Sequence, residues 1–107
     1  MLAVAFVLYE QDGKPRAQAL EHWGSVHADL VRKVPGVRRY IQQHAVGAPE
    51  GDPPFLGIAT LYFDDHDGFA TGTAAPEFAA AVADLANFAD PQHLPTAFVE
   101  DHWIIDG

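Results

Sequence analysis

Apolar residues alternate with polar ones or form short continuous runs in some segments, and recur every three or four positions in others. Each change between these patterns marks a boundary between a strand and a helix. Leu2–Tyr9 is a continuous apolar run of strand length, which is typical of a strand buried on both faces. Further along, apolar and polar residues alternate, so that Tyr40, Gln42 and His44 share one face of a second strand. The pattern predicts four strands in all: Leu2–Tyr9, Val37–Val46, Phe55–Phe63 and Thr96–Ile105.

Between the strands, apolar residues recur every three or four positions. This spacing predicts a helix over Pro15–Val34, which Pro35 and Gly36 end. The second helical segment is interrupted by glycine and proline, so we predict a weak piece over Asp67–Ala74 and a better one over Pro76–Asn87. The predicted apolar stripes are Leu20, Trp23, His27, Leu30 and Val34 in the first helix, and Phe78, Val82 and Leu85 in the second, with Ala86 as an optional fourth member.

The order of elements predicts the architecture. Strand, helix, strand, strand, helix, strand is the βαββαβ order of a ferredoxin-like α+β protomer, with a four-stranded antiparallel sheet and both helices on one face. We find no repeat or linker, and predict a single domain over residues 1–107. Apolar residues on both faces of the first and third strands indicate that a second copy of the chain covers the bare face, as in a homodimer.

Charge and composition narrow the range of partners. The net charge is −9, and residues 40–107 carry eleven acidic residues but no Lys or Arg. Such a surface repels nucleic acid and anionic membranes, so we expect neither as a partner. There is no cysteine, and the first apolar run is too short to span a bilayer and lacks a basic start. We therefore expect a cytoplasmic protein without disulfides.

His27 and Tyr40 are the best candidates for chemistry. His27 lies in the middle of an apolar stripe, so it is either a hydrogen-bonded core histidine or a partly desolvated imidazole suited to proton transfer. Tyr40, on the neighbouring strand, is either a core aromatic residue or a donor to a developing oxyanion. Trp23 is mainly packing and secondarily a wall for a flat substrate, and His44 either lines the pocket or is exposed at the strand end.

No cofactor or metal site is predicted. The chain has no glycine-rich phosphate loop and no H-x3-H or H-E-x2-H spacing. His22 and His27 are five residues apart, which places them on different faces of an α-helix. In the third strand, Gly57 and Ala59 leave room beside the sheet, either for packing or for a ligand.

Four short motifs resemble the EthD family of the dimeric α+β barrel superfamily. They are W-x3-H-A-x-L-V from Trp23, PG-x-R-R-Y from Pro35, F-D at Phe63, and N-F-x-D from Asn87. The resemblance implies a homodimer whose two sheets close a barrel, with a pocket between sheet and helices for a small organic molecule. Relatives include cofactor-free monooxygenases, lactone isomerases and polyketide cyclases, so the resemblance does not choose a reaction.

Two positions depart from the family pattern. Thr60 stands where relatives commonly carry an acid on the third strand, and Asp84-Leu85 replaces an acid pair near the end of the second helix. For this reason we do not carry over a carboxylate mechanism, and His27 becomes the preferred acid/base group.

The resulting hypothesis is a cofactor-free enzyme of lyase, isomerase or cyclase type that moves protons on a small cyclic or aromatic carbonyl compound. His27 and Tyr40 are the predicted catalytic residues. One alternative is a cofactor-free monooxygenase, and another is a non-catalytic protein that only binds a small molecule. The predicted substrate-binding residues are Trp23, His44, Thr60 and Phe63.

Overall fold

A four-stranded antiparallel sheet forms one layer of the fold, and its strands lie side by side in the order β2 (Arg39–His44), β3 (Gly57–Phe63), β1 (Leu2–Leu8) and β4 (Thr96–Val99). The computed structural model of the protein describes all 107 residues. Helices cover one face of the sheet, which makes this the ferredoxin-like α+β fold that the element order predicts. The elements are β1 Leu2–Leu8, α1 Arg16–His22, a π-helical turn Trp23–His27, α2 Ala28–Arg32, β2 Arg39–His44, β3 Gly57–Phe63, α3 His66–Ala74, α4 Pro76–Asp84, a 3₁₀ turn Leu85–Asn87, and β4 Thr96–Val99.

The core lies between the sheet and the helices. Val4 in β1 pairs with Leu61 in β3, and both side chains point towards the helices. There they pack against Val31 of α2 and Ala81 of α4. A second core cluster, centred on Trp23, packs near the other end of the same strands.

The last strand is shorter than predicted. The sequence pattern indicates Thr96–Ile105, whereas β4 ends at Val99. β4 is an edge strand that pairs only with β1, and its final pair, Val99 with Ala3, lies next to the start of β1. No further strand residues of β1 are available to Trp103 and the two isoleucines after it, which are exposed.

The first helix contains a π-helical turn that the sequence pattern does not reveal. Pro15 is the N-cap residue, so the helix begins at Arg16 and not at the predicted Pro15. Within the turn, the Ala28 N–H donates to the Trp23 carbonyl oxygen five residues earlier, in place of the four residues of an α-helix, which widens the helix locally. The helix ends at Arg32, two residues before the predicted Val34.

The second helical segment is divided in two, as predicted. Ala75 has an extended backbone and separates α3 from α4. The buried side of α4 differs from the predicted stripe, because Val82 is 46% exposed while Ala81 and Asp84 are buried. The small Ala81 side chain packs in the cluster that includes Val31 of α2, so that this side of α4 turns inwards and Val82 turns towards the solvent.

Candidate active site

A small apolar cavity lies between the sheet and the helices. Its volume is about 50 Å³, and every lining residue except His27 is hydrophobic. Ala59 of β3 lines it, so the space that this small residue leaves beside the sheet belongs to the cavity. Val82 also lines it and is 46% exposed, which marks the side where the cavity meets the solvent.

His27 is held at the wall of this cavity by a carboxylate. Its Nδ1 lies 3.0 Å from Oδ2 of Asp84, and both side chains are buried. An ionised carboxylate can only accept hydrogen bonds, so Nδ1 carries the proton and donates it. The other ring nitrogen, Nε2, is then unprotonated, and it has no hydrogen-bond partner within the chain. His27 therefore carries an unprotonated ring nitrogen without a partner, on a side chain that lines the apolar cavity.

Asp84 accepts hydrogen bonds from three side chains. In addition to His27, His22 donates from Nε2, which lies 2.9 Å from both carboxylate oxygens, and Asn87 donates from Nδ2 to Oδ1 at 2.9 Å. Sequence reasoning missed this residue because Asp84-Leu85 does not match the acid pair of the family. Asp84 lies three residues after Ala81, on the buried side of α4, and a carboxylate in such a position requires partners.

The π-helical turn explains how His22 and His27 reach the same carboxylate. In an α-helix each residue turns by about 100°, so residues five apart point in different directions. A π-helix bonds each residue to the one five positions away, which brings such residues close to one face. The expectation that these two histidines lie on different faces is therefore wrong.

Burial and hydrogen bonding together determine the protonation states of His27 and Asp84. Burial lowers the pKa of His27 below its ordinary value, and the hydrogen bond to Asp84 only partly opposes this shift. For Asp84, burial alone would raise the pKa, but the hydrogen bonds from Asn87, His22 and His27 outweigh it and lower the pKa. At neutral pH the pair therefore consists of a carboxylate and a neutral imidazole.

Tyr40 lines the same cavity and carries the second polar group of the site. Its hydroxyl oxygen accepts a hydrogen bond of 2.6 Å from Gln42 Nε2. Burial raises the pKa of Tyr40, with smaller opposing effects from Gln42 and Trp23, so the phenol stays protonated at neutral pH. The structure thus brings the two predicted catalytic residues, His27 and Tyr40, to one cavity.

Only one of the four predicted substrate-binding residues lines the cavity. Trp23 is fully buried and forms part of its wall. His44 lies behind Trp23, with its ring stacked on the indole at a centroid distance of 4.5 Å, and burial lowers its pKa. Phe63 is fully buried in the other core cluster, edge-on to Phe69. Thr60 points to the opposite face of the sheet, because side chains alternate along β3.

No group of three or more His, Asp or Glu side chains is arranged to hold a metal ion. The histidines around Asp84 instead use their nitrogens to donate to the carboxylate. None of the helices has the length and apolar character needed to cross a bilayer.

The fold and the buried histidine–carboxylate pair define a ferredoxin-like α+β protein with a candidate acid/base site. A model of the EthD domain matches residues 11–92, and the chain belongs to the EthD family. The resemblance in the sequence motifs is thereby confirmed. The "uncharacterized 11.0 kDa protein in thcB-thcC intergenic region" of Rhodococcus erythropolis is 32% identical over 83 residues, which cover 78% of this chain and 80% of that protein.

Solved structures share this fold over nearly the whole chain. An EthD family protein from Bacillus halodurans has a TM-score of 0.77 and 30% identity, covering 95% of this chain and all of that one. A dimeric ferredoxin-like protein of unknown function from Thermobifida fusca has a TM-score of 0.73 and 16% identity, covering 92% and 88%. SnoaB from Streptomyces nogalater, a cofactor-independent oxygenase, has a TM-score of 0.64 and 16% identity, covering 94% and 91%. At 16% identity, the last two show the fold alone.

Proposed function

We propose that this protein is a cofactor-independent enzyme that performs acid/base chemistry on a small organic carbonyl compound. The observation that carries the proposal is the hydrogen bond of 3.0 Å between His27 Nδ1 and Asp84, with Nε2 left free beside an apolar cavity. A buried carboxylate that orients an imidazole is a common way to prepare a general base.

In the proposed reaction, His27 Nε2 removes a proton from the carbon next to the carbonyl group. The C–H bond breaks, its electron pair forms the C=C bond of an enolate, and the carbonyl oxygen takes the negative charge. The Tyr40 O–H donates a hydrogen bond to that oxygen, while Asp84 stabilises the imidazolium that forms. Return of the proton to a different carbon gives an isomerase. Departure of a group from the β-carbon, with the proton passing from His27 to that group, gives a lyase. Attack of the enolate carbon on a second carbonyl carbon of the same molecule, whose oxygen then takes the proton from His27, gives a cyclase.

Deuterium exchange at the α-carbon of cyclopentanone in D2O, followed by proton NMR, tests this step directly. We expect exchange above the buffer rate with the wild-type protein, and a rate at least about 100-fold lower with His27→Gln, the usual scale for loss of a general base. His102→Gln, a change in the exposed C-terminal tail, is the matched control.

The proposal fails if wild-type protein does not accelerate exchange in cyclopentanone, acetone or acetophenone, or if His27→Gln exchanges as fast as wild type. Binding of these ketones without exchange would instead support the non-catalytic binding protein of the sequence analysis.

A cofactor-independent oxygenase is the second candidate, favoured by the fold shared with SnoaB. Removal of a proton by His27 would also begin this reaction, because a substrate carbanion can itself react with oxygen. Oxygen uptake equal to substrate consumption would identify the oxygenase, whereas turnover under argon would exclude it.

We also propose that the functional unit is a homodimer formed through the uncovered face of the sheet. This face contains Ile41, which is 48% exposed, together with Ile58, Thr60 and Tyr62. The dimeric description of the Thermobifida fusca protein supports the proposal, since its fold is the same.

A further inference from the structure

A chain of hydrogen bonds behind the cavity wall fixes the orientation of the Gln42 side-chain amide. Gln42 Nε2 lies 2.8 Å from the Trp23 carbonyl oxygen, which can only accept. On the other side of the amide, Gln42 Oε1 lies 2.7 Å from His44 Nε2, which donates to it. A flipped amide would place its oxygen against the carbonyl oxygen of Trp23, so the nitrogen must face that carbonyl.

The fixed amide determines what the Tyr40 hydroxyl can do. Gln42 Nε2 also donates to the Tyr40 oxygen, at 2.6 Å. The phenolic proton cannot point back at an N–H group, and no acceptor for it lies within the chain. Because Tyr40 lines the cavity, a ligand bound there can supply the missing acceptor.

Trp23 adds a second donor to the same wall. Its indole nitrogen is buried and makes no hydrogen bond of good geometry within the chain, but its effect on the pKa of Tyr40 places the indole N–H near the Tyr40 oxygen. A buried N–H without an acceptor is costly, and a ligand that supplies the acceptor recovers that cost. The site thus contains two unmatched donors, the Tyr40 O–H and the Trp23 N–H, and one free acceptor, His27 Nε2.

We propose that the cavity selects a small neutral ligand through a carbonyl oxygen that accepts hydrogen bonds from Tyr40 and Trp23, and that Gln42 is the positioning residue that makes Tyr40 a donor. This inference deepens the proposed function and rests on it for the reaction that follows binding. A carbonyl oxygen has two lone pairs and can accept from both donors. A hydrocarbon leaves both donors unmatched, and a carboxylate finds no positively charged side chain along the lining.

The test compares cyclopentanone with methylenecyclopentane, which has nearly the same shape but a CH2 group in place of the oxygen. Dissociation constants from NMR titration measure the preference. One or two net hydrogen bonds predict that wild type binds the ketone about three- to thirtyfold more tightly. The infrared carbonyl stretch of the bound ketone should lie at a lower frequency than in hexane, because hydrogen bonds weaken the C=O bond.

Two variants separate the donor from the residue that positions it. Tyr40→Phe removes the donor and should reduce the ketone preference several-fold and move the carbonyl band towards its value in hexane. Gln42→Met keeps the length of the side chain but frees the phenol to rotate, so the band should broaden and the preference should fall. Gln18→Met is the control, since Gln18 is exposed on α1, away from both the cavity and the uncovered face of the sheet.

The outcomes distinguish this inference from the proposed function. The inference is overturned if wild type binds the ketone no better than the alkene, which includes binding neither, or if Tyr40→Phe and Gln42→Met keep the preference and the band of wild type. A preference for the ketone without deuterium exchange would overturn the proposed enzymatic function and leave the ligand assignment intact. Exchange that depends on His27, without any ketone preference, would overturn the ligand assignment alone. Thermal unfolding curves confirm that each variant is folded.

Discussion

The Asp84 carboxylate links the two helical segments that form the candidate site. It accepts hydrogen bonds from His22, His27 and Asn87, which come from two different helical segments. Each donor favours the ionised form of Asp84, and the ionised form fixes the proton of His27 on Nδ1. The chemistry of His27 therefore depends on a residue 57 positions away in the chain.

Replacement of this carboxylate by an amide should inactivate the base without removing its side chain. In Asp84→Asn, an amide NH2 group can face His27 Nδ1, which favours the tautomer with the proton on Nε2. We expect ketone exchange to fall at least about 100-fold, as for loss of a general base. The unmatched hydrogen bonds should also lower the free energy of unfolding by about 1–3 kcal/mol.

Exchange assays and urea unfolding measure these two effects. Asp52→Asn, in an exposed loop, is the control and should behave as wild type. Full exchange activity in Asp84→Asn would show that His27 does not need the carboxylate.

The lowered pKa of His27 predicts a loss of stability in mild acid. Between the ordinary value of 6.5 and the lower folded value, the unfolded chain binds a proton that the folded chain does not. The stability therefore falls as the pH drops below about 6.5. Asp84 adds a second loss of stability as the pH falls below its ordinary pKa of 3.8, because the pKa of Asp84 is also lowered in the folded protein.

Urea midpoints at pH 7.5 and pH 5.5 measure the first loss. The drop between these pH values should be smaller in His27→Gln than in wild type, because the titrating group is gone. His102→Gln should keep the wild-type drop. Equal drops in wild type and His27→Gln would refute the assignment of the loss to His27.

At the scale of elements, the size of the side chains that β3 can carry is limited by the first helix, which packs on it. A Cβ atom at Gly57 would lie 2.6 Å from Cη2 of Trp23 and would also collide with the Gln43 carbonyl oxygen. The space that Gly57 leaves is thus filled by packing, whereas the space beside Ala59 belongs to the cavity. The sequence is compatible with both uses at both positions, and the position of the helix decides between them.

Gly57→Ala should therefore disturb the wall of the site. Trp23 must move to accept the new methyl group, and overpacking of this kind costs about 1–3 kcal/mol. For a domain of this size we expect the Tm to fall by at least about 5 °C. Gly47→Ala is the matched control, since no atom lies within 4 Å of its Cβ position. An unchanged Tm in Gly57→Ala would mean that the indole is not held against this strand.

At the scale of the whole molecule, the sheet is covered on one side only. Helices bury the face that carries Val4 and Leu61, while Ile41 on the other face is 48% exposed. Uncovered apolar surface of this kind is typical of an interface between subunits. The proposed homodimer would cover it by packing sheet against sheet.

Ile41→Lys should weaken such a dimer, because a charge at the centre of an apolar interface loses its hydration. Sedimentation velocity at micromolar concentration should show a dimer for wild type and a larger monomer fraction for the variant. Val26→Lys places the same charge on the helical side, where Val26 is 51% exposed, and should leave the dimer intact. If wild type sediments as a monomer, or if both variants behave alike, the sheet face is not the interface.

The amino-acid sequence by itself determined the order and type of the elements. Local periodicity is enough to identify them, since alternation marks strands and a spacing of three or four marks helices. The order βαββαβ then led to the antiparallel sheet with helices on one face. The stripe around His27 also placed that residue correctly in the core, although the same spacing argument misplaced His22 and Val82.

The tertiary structure alone decided which residues meet. The π-helical turn, the pairing of Asp84 with His27 and the position of Thr60 on the far face all depend on packing between segments distant in the chain. Spacing cannot reveal an extra residue in a helical turn, nor a hydrogen bond across 57 residues. The sequence therefore indicated an imidazole in an apolar setting, and the fold supplied the carboxylate that holds the proton of that imidazole on Nδ1.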